Sequence, residues 1–286
     1  WQSSTDNITF GTNISGATTA SYTANNLTAT RYYRVMVKRG ACTAYSSSTT
    51  VTVNPVSVGG TIAGSTTTCT GSNSTVLTLS GNTGSVIKWQ SSPTSDFSSN
   101  VTDIAHTGAS YTASNLTATT YYRAVVQSGA CAAVYSGSAT ITISEASNGG
   151  TVIGDDTVCS GTNATLLTLT GYSGTVSNWQ WSSVSDFSSG VNNISNTKDT
   201  FTALNLTATR YYRAVVVNGA CTAYSSEAKV TVDPASAGGS IAGSTTVCTG
   251  VNNATLILSG RTGSVVKWQS AASSDFLSAP ADIEST

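Results

Sequence analysis

Six cysteines are the residues of this chain best suited to chemistry. They recur at two kinds of place: three follow Gly-Ala (Cys42, Cys131 and Cys221), and three follow a Thr-rich or Val-containing stretch (Cys69, Cys159 and Cys248). No Cys-x-x-Cys pair or histidine cluster accompanies them, which disfavours a metal site. Paired thiols in a polar, loop-rich chain are typical of disulfides in an oxidising, extracellular compartment.

The remaining reactive side chains predict no catalytic centre, no metal and no cofactor. His106 is the single histidine, and it aligns with Asn196 one copy later, so we predict a surface residue. The recurring Ser-Asp-Phe carboxylates could bind calcium, but an isolated Asp beside Ser is more typical of a turn acceptor; they are Asp96, Asp186 and Asp275. The 13 acidic residues are dispersed and offer no facing pair for glycoside cleavage, and we predict that the chain is not an enzyme.

Trp181 is the one tryptophan without a counterpart in the other copies. Gln180-Trp181 replaces Gln90-Ser91, and alternation along a strand puts Trp181 on the same face as Trp179. This favours packing at the edge of a core. The alternative is a ring that stacks on a sugar.

The composition excludes several partner classes. Charged residues are 9% of the chain and the net charge is −1, so no basic surface for nucleic acid or anionic lipid is expected. No apolar run approaches the ~20 residues of a membrane helix, so we expect no membrane insertion of this segment. Ser, Thr, Asn and Gly dominate the polar residues, which favours strands and predicts an all-β fold.

The cysteines belong to a repeat of about 90 residues. Trp-Gln recurs at Trp1, Trp89, Trp179 and Trp268, at spacings of 88, 90 and 89 residues. We therefore predict four copies: a partial one at 1–55 that holds the C-terminal part of the repeat, complete ones at 56–145 and 146–234, and a partial one at 235–286 that holds the N-terminal part. Short Gly-Gly linkers indicate closely stacked neighbours, and thus an extended rod that lengthens by about 35 to 45 Å per copy.

Each copy has the strand pattern of an immunoglobulin or fibronectin type III β-sandwich. Leu77 and Leu79 share one face of a strand, and Trp89 follows at the place of a sandwich's central tryptophan. Leu116 precedes Tyr122 by six residues, as in the corner between strands E and F of those folds. The predicted core aromatics are Trp89, Trp179, Trp268, Tyr33, Tyr122 and Tyr212.

Two disulfide schemes follow from this organisation. Pairing within a copy, Cys69 with Cys131 and Cys159 with Cys221, closes loops of about 62 residues worth about 4 kcal/mol on chain-entropy grounds, and this scheme is favoured. Pairing between copies, Cys69 with Cys221, follows if the A-to-B end of one sandwich meets the F-to-G end of the next.

Several motifs resemble the tandem repeats of giant Bacteroidetes surface adhesins of the SprB-like gliding-motility type. They are Gly-Gly-Thr-Ile-Ala-Gly, Cys-Thr-Gly-Ser-Asn, Gly-Ser-Val-Ile-Lys-Trp-Gln-Ser-Ser and Tyr-Tyr-Arg-Ala-Val-Val, in residues 59–126. The resemblance covers essentially the whole chain. In addition, Asp156-Thr157-Val158 resembles the O-glycosylation motif of that phylum, which implies a glycan on Thr157.

The resemblance implies a non-enzymatic stalk in surface attachment and gliding motility. It implies a protein exported by the type 9 secretion system to the outer-membrane surface, with neighbouring repeats, the gliding or secretion machinery and a surface polysaccharide or other substratum as partners. The alternative is a spacer or carbohydrate-binding module of a secreted polysaccharide-degrading enzyme, which Trp181 as a sugar contact would favour.

Overall fold

The strands are rich in Thr, Val, Ile and aromatic residues, and within the described part of the chain every regular element is a β-strand. The computed structural model describes residues 1–277 and 280–283. Within those ranges no helical segment qualifies as a membrane span.

The strands are numbered along the chain. The first copy has β1 (Gln2–Ser4), β2 (Thr12–Asn13), β3 (Arg31–Arg34), β4 (Met36–Arg39), β5 (Cys42–Tyr45) and β6 (Thr49–Val51). The second has β7 (Thr61–Ala63), β8 (Thr66–Cys69), β9 (Ser74–Ser80), β10 (Ser85–Ser92), β11 (Thr102–Ile104), β12 (Ser110–Ser114), β13 (Thr120–Gln127), β14 (Val134–Tyr135) and β15 (Ala139–Ser144).

The third copy repeats the pattern of the second. It has β16 (Thr151–Ile153), β17 (Asp156–Cys159), β18 (Ala164–Thr170), β19 (Thr175–Ser182), β20 (Asn192–Ile194), β21 (Thr200–Leu204), β22 (Arg210–Asn218), β23 (Cys221–Tyr224) and β24 (Ala228–Asp233). The fourth has β25 (Ser240–Ala242), β26 (Ile257–Ser259), β27 (Trp268–Ser270) and β28 (Ala281–Ile283).

The second copy is a sandwich of two sheets. One sheet has the order β12-β9-β7 and the other the order β11-β10-β13-β15-β8, with β14 beside β13. Strand β8 runs parallel to β15, whereas the other pairs are antiparallel. This is the strand arrangement of immunoglobulin and fibronectin type III domains, with β8 as an extra edge strand.

The third copy has the same two sheets. They are β16-β18-β21 and β17-β24-β22-β19-β20, with β23 beside β22 and β17 parallel to β24. The predicted all-β fold of tandem immunoglobulin or fibronectin III-like sandwiches is confirmed. The extended rod stays a prediction.

The first and fourth copies contribute smaller sheets. The first has β2-β1-β3-β6 and β4-β5, and the fourth has β25-β26 and β27-β28. By compactness the chain divides into one unit of residues 1–146 with 218–221 and another of 147–217 with 222–286. The copy boundaries at 56, 146 and 235 stay a prediction.

A row of three aromatic rings fills each complete sandwich. In the second copy Trp89 is fully buried, and its indole Nε1 donates to the carbonyl of Gly108 at 3.0 Å. The ring of Tyr111 lies between Trp89 and Tyr122, with centroids 5.6 and 5.7 Å away. Burying such rings supplies most of the hydrophobic stabilisation of a small domain.

The third copy builds the same row. Trp179 is fully buried and donates to the carbonyl of Lys198 at 2.8 Å, and the ring of Phe201 lies 5.8 Å from Trp179 and 5.6 Å from Tyr212. Of the other predicted core aromatics, Tyr33 is buried and Trp268 is only half-buried. Among the described residues the fourth copy forms only β25 to β28, and the strands that cover Trp89 and Trp179 have no counterpart there.

The buried phenol predicts loss of stability at high pH. Burial raises the pKa of Tyr122 to about 12. An unfolded tyrosine ionises near pH 10, so between pH 10 and 12 the unfolded chain releases protons that the folded chain keeps, and the free energy of unfolding falls by roughly 2 kcal/mol. Urea denaturation at several pH values, followed by far-UV circular dichroism, should show this decline.

Matched phenylalanine variants isolate the group responsible. Tyr122→Phe should reduce the decline, because its ionising hydroxyl is gone while the ring remains. Part of the decline should persist, since burial also raises the pKa of Tyr212. Tyr135→Phe, at a ring that is 57% exposed, should leave it in place. An identical decline in Tyr122→Phe and the unchanged protein would contradict the assignment.

Candidate functional site

The structure contains one disulfide, between Cys69 at the end of β8 and Cys221 at the start of β23. Their Cα atoms are 4.9 Å apart, and 152 positions separate them in sequence. Both cysteines belong to the first compact unit, which includes residues 218–221. The favoured prediction, Cys69 with Cys131 and Cys159 with Cys221, is wrong, and the structure has the alternative pairing between copies.

Strand direction explains why pairing within a copy fails. Because β8 runs parallel to β15, Cys69 lies opposite Ser144, where β15 ends. Cys131 follows β13, which runs antiparallel to β15 and therefore ends at the other end of the sandwich. A strand of about eight residues spans roughly 26 Å, whereas a disulfide requires Cα atoms within about 7 Å.

An asparagine four positions after the cysteine fixes the Cys69 side of the bond. The Asn73 side-chain amide donates to the carbonyls of Cys69 at 3.0 Å and Leu116 at 2.8 Å, and its Oδ1 accepts from the Leu116 N–H at 2.9 Å. The loop after β8 is thereby tied to the corner before β13. The signal in the sequence is a repeated Cys-x-x-x-Asn.

The same tie occurs at the other cysteines of this kind. Asn163 donates to the carbonyls of Cys159 and Leu206, both at 2.8 Å. Asn252 donates to the carbonyl of Cys248 at 2.9 Å. The bond from the asparagine to the cysteine carbonyl is thus present in three copies, and the bond to the corner carbonyl in two of them.

The Gly-Ala-Cys turn that carries Cys221 fits closely against Ser144. Gly219 has a φ of +56°, and a Cβ on it would come within 2.2 Å of the Ser144 hydroxyl. The Ala220 N–H donates to that hydroxyl at 3.1 Å, and the Cys221 Sγ lies 3.5 Å from the Ser144 carbonyl oxygen. Glycine is favoured here because this φ is strained for other residues, and a side chain would also force the Ser144 hydroxyl or the turn to move.

An arginine stacked between two rings occupies the outer face of the larger sheet. The Arg123 guanidinium lies 4.1 Å from the Phe97 ring and 3.6 Å from the Tyr135 ring, and its Nε donates to Gln90 at 2.8 Å. Gln90 in turn donates to Asp103 at 2.7 Å. Each stack contributes about 1 kcal/mol by cation–π attraction.

The stack recurs in two further copies, and the strand pattern of the sequence does not predict it. Arg34 lies over Phe10 and Tyr45, and Arg213 over Phe187 and Tyr224. These side chains are engaged with their own domain. They stiffen the sheet.

The Ser-Asp-Phe carboxylates are turn acceptors. Asp96 accepts from the Ser98 N–H at 3.0 Å, and hydrogen bonding by the Ser98 hydroxyl, helped by that N–H, lowers the pKa of Asp96. Asp186 and Asp275 close the same turn. Among the described residues no three His, Cys, Asp or Glu side chains are grouped to hold a metal ion.

Three other predicted residues have defined surroundings. His106 is half-buried, stacks on Tyr111 at 5.6 Å and lies 2.7 Å from the Ser110 carbonyl, so it is less exposed than predicted. Thr157 is exposed on the edge strand β17, paired with Thr231. Trp181 is half-buried against the core, and the Arg210 guanidinium covers one face of its ring at 3.7 Å.

One protein family matches nearly the whole chain. It is described as "Domain of unknown function (DUF8696)", and it matches residues 1–55, 58–145, 148–234 and 237–285. No curated protein matches the chain.

Solved structures with a similar fold are distant in sequence. Fibronectin(III)-like modules of Clostridium thermocellum CbhA are 12% identical, with a TM-score of 0.36, over 60% of this chain and 94% of theirs. The FN1-FN3 domains of chicken CNTN1 are 12% identical, with a TM-score of 0.36, over 71% and 75%. A marsupial T cell receptor is 13% identical, with a TM-score of 0.42, over 65% and 77%.

The disulfide should contribute strongly to stability. On chain-entropy grounds, a bond that spans 152 residues is worth about 5 kcal/mol. Cys69→Ser combined with Cys221→Ser should therefore lower the urea midpoint of the first compact unit, and reductant should then have no further effect.

A cysteine outside the bond provides the control. Cys159→Ser should leave the midpoint unchanged, because Cys159 is not in a disulfide in this structure. Equal loss of stability in Cys159→Ser and in the double variant would contradict the observed pairing.

Proposed function

We propose a mechanical role, on the premise that the chain belongs to the DUF8696 domain family, which it matches four times in succession. Its tandem immunoglobulin or fibronectin III-like domains form a structural or binding repeat region. In our proposal this region is a stalk segment that carries tension in a giant cell-surface adhesin used for attachment and gliding motility.

The disulfide is the observation that carries this proposal. It bonds a cysteine of the second copy to one of the third and encloses 152 positions. When a tandem array is pulled, a domain that unfolds releases about 3.3 to 3.6 Å of length per residue. A covalent bond across two copies prevents that release, which is useful in a stalk and has no evident use in a flexible linker.

The surface of the repeats suits an exposed stalk. Charged residues are 9% of the chain, and the arginines of three copies are stacked against rings of their own domain. The disulfide and the sandwich fold place the segment outside the cell or in a secreted protein. We propose the outer-membrane surface, with a surface polysaccharide or other substratum and the gliding or secretion machinery as partners.

We also propose that this segment performs no catalysis. The stacked arginines, the turn carboxylates and the histidine have structural partners within their own domains, as shown by Arg123, Asp96 and His106. The sugar-binding alternative depends on a free face of Trp181, and Arg210 covers one of its two faces. The stalk is therefore the better supported function.

Single-molecule stretching tests the mechanical part. The chain pulled by its two ends should extend about 500 Å less when oxidised than when reduced, because 152 positions stay enclosed by the bond. The Cys69→Ser and Cys221→Ser double variant should reach the longer length with or without reductant. Equal lengths for the oxidised and reduced chain would contradict the proposal.

Attachment under flow tests the adhesive part. Bacteria that carry the double variant in the encoded protein should detach at lower shear than bacteria with the unchanged protein, at equal surface display measured by antibody. Tyr135→Phe, which keeps an exposed ring and changes no cysteine, serves as the comparison. If bacteria that lack the whole protein attach and glide normally, the adhesive role is wrong whatever the stretching result.

A further inference from the structure

We propose that Cys131 and Cys159, two of the four cysteines outside the disulfide, each form one side of a further cross-link of the Cys69 to Cys221 kind. Each is shaped to bond the complementary cysteine of a further copy of this domain. Cys131 would form a disulfide with the cysteine that corresponds to Cys69 in the preceding copy. Cys159 would form one with the cysteine that corresponds to Cys221 in the following copy. This inference does not depend on the adhesive role.

Cys131 has the surroundings that Cys221 has. Gly129 has a φ of +51°, and a Cβ on it would meet the Asn54 side chain 2.1 Å away. The Cys131 Sγ lies 3.7 Å from the Asn54 carbonyl oxygen and 3.3 Å from that of Pro55. Asn54 in the first copy aligns with Ser144 in the second, the residue against which the Cys221 turn fits.

Two further hydrogen bonds fix the turn that carries Cys131. The Ser128 N–H donates to the Ser57 hydroxyl at 2.9 Å, and both residues are buried. The Cys131 N–H closes the turn by donating to the Ser128 carbonyl at 3.0 Å. The Cys131 thiol therefore lies beside Asn54 and Pro55, just after the last strand of the first copy. Cys221 lies in the same way beside Ser144, at the end of the second copy's last strand, where it bonds Cys69.

Cys159 has the surroundings that Cys69 has. It lies opposite Asp233 on parallel strands, as Cys69 lies opposite Ser144. The next N–H donates to the facing carbonyl in both copies, from Ser160 to Asp233 at 2.8 Å and from Thr70 to Ser144 at 3.1 Å. Asn163 holds the Cys159 loop as Asn73 holds the Cys69 loop, so the surroundings of the two cysteines match. The Cys159 thiol is exposed.

The observed disulfide between Cys69 and Cys221 shows what a cysteine in either setting binds. Cys69 and Cys221 show that the two kinds of setting, when brought together, place two sulfur atoms within bonding distance. Each unpaired cysteine repeats one of those settings. The ligand that fits each one is therefore a complementary copy of the same repeat, rather than a metal or a small thiol.

Bond formation is an oxidation and needs a disulfide reagent. A cysteine thiolate attacks glutathione disulfide, which breaks the S–S bond of the reagent, forms a mixed disulfide and releases one glutathione. The second cysteine then attacks the mixed disulfide and releases the other glutathione. Two S–H bonds are broken and one Sγ–Sγ bond forms. The two protons and two electrons pass to the reagent, which leaves as two thiols.

In a longer array this pairing rule would create two interleaved covalent paths. Cys221 and Cys248 are 27 positions apart, and Cys131 and Cys159 are 28 apart. In each path a disulfide leads from one copy to the next, and a backbone segment of about 27 residues then leads to the following disulfide. That segment is about 100 Å long when extended, and it connects points two copies apart. Two unbridged, unfolded copies would reach about 600 Å. Unfolding of a domain would then barely lengthen the array.

Extended chains test the pairing rule. Thr286 stands 18 positions after Trp268, as Thr107 stands 18 after Trp89, so residues 108–145 appended after Thr286 complete a fourth copy in register. Residues 146–178 placed before Trp1 complete the first copy in the same way. After oxidation with glutathione buffer, non-reducing digestion and mass spectrometry should link Cys159 to the appended Gly-Ala-Cys cysteine, and Cys131 to the cysteine of the added N-terminal segment.

Alkylation by iodoacetamide gives the second readout. Cys159 should lose its reactivity in the C-terminally extended chain and regain it when the appended cysteine is changed to serine. The Cys69 to Cys221 peptide reports correct folding in every sample. The proposal is overturned if Cys159 and Cys131 stay reactive while that peptide forms, if they bond to each other, or if neither extended chain forms the Cys69 to Cys221 peptide.

Discussion

The parallel pairing of β8 with β15 is the constraint on which the rest depends. An immunoglobulin-like sandwich can be built without such an edge strand. Here its presence carries Cys69 to the end of the domain from which the chain leaves for the next copy, opposite Ser144. Cys131 of the same copy is thereby kept at the other end, and the only thiol that reaches Cys69 in the described part of the chain is Cys221.

The residues that stabilise a copy are different from those that connect it to another copy. The cores consist of buried rings, with Trp89 and Trp179 fully enclosed and hydrogen-bonded. The stacked arginines and their glutamine partners stiffen the outer sheet. Neither feature uses a cysteine, so the thiols are available for a covalent connection between copies. The surface is rich in hydroxyl and amide groups and carries few charges.

The fold and its core could be predicted from the sequence because period-2 alternation and the 90-residue repeat are local or periodic signals. Trp89, Trp179, Tyr122 and Tyr212 needed only the spacing between copies. The disulfide pairing could not be decided this way, since it depends on the direction of one four-residue edge strand. Thr66–Cys69 has the same alternation whether it runs parallel or antiparallel to its neighbour.

The stacked arginines were missed for a related reason. Phe97 lies in a turn at a φ of +56°, and no strand register predicts where such a side chain points. The contact between Trp181 and Arg210 could not be found by comparing copies either. The first copy has Arg31 at the position of Arg210 but Ser3 at the position of Trp181, so the two residues do not change together.

The covalent link runs from the second copy to the third. Digestion of the alkylated, unreduced 286-residue chain, followed by mass spectrometry of the peptides, is the decisive test of this pairing. We expect a peptide pair that joins Cys69 to Cys221 and disappears on reduction. A pair that joins Cys69 to Cys131 would show that the link lies within one copy instead.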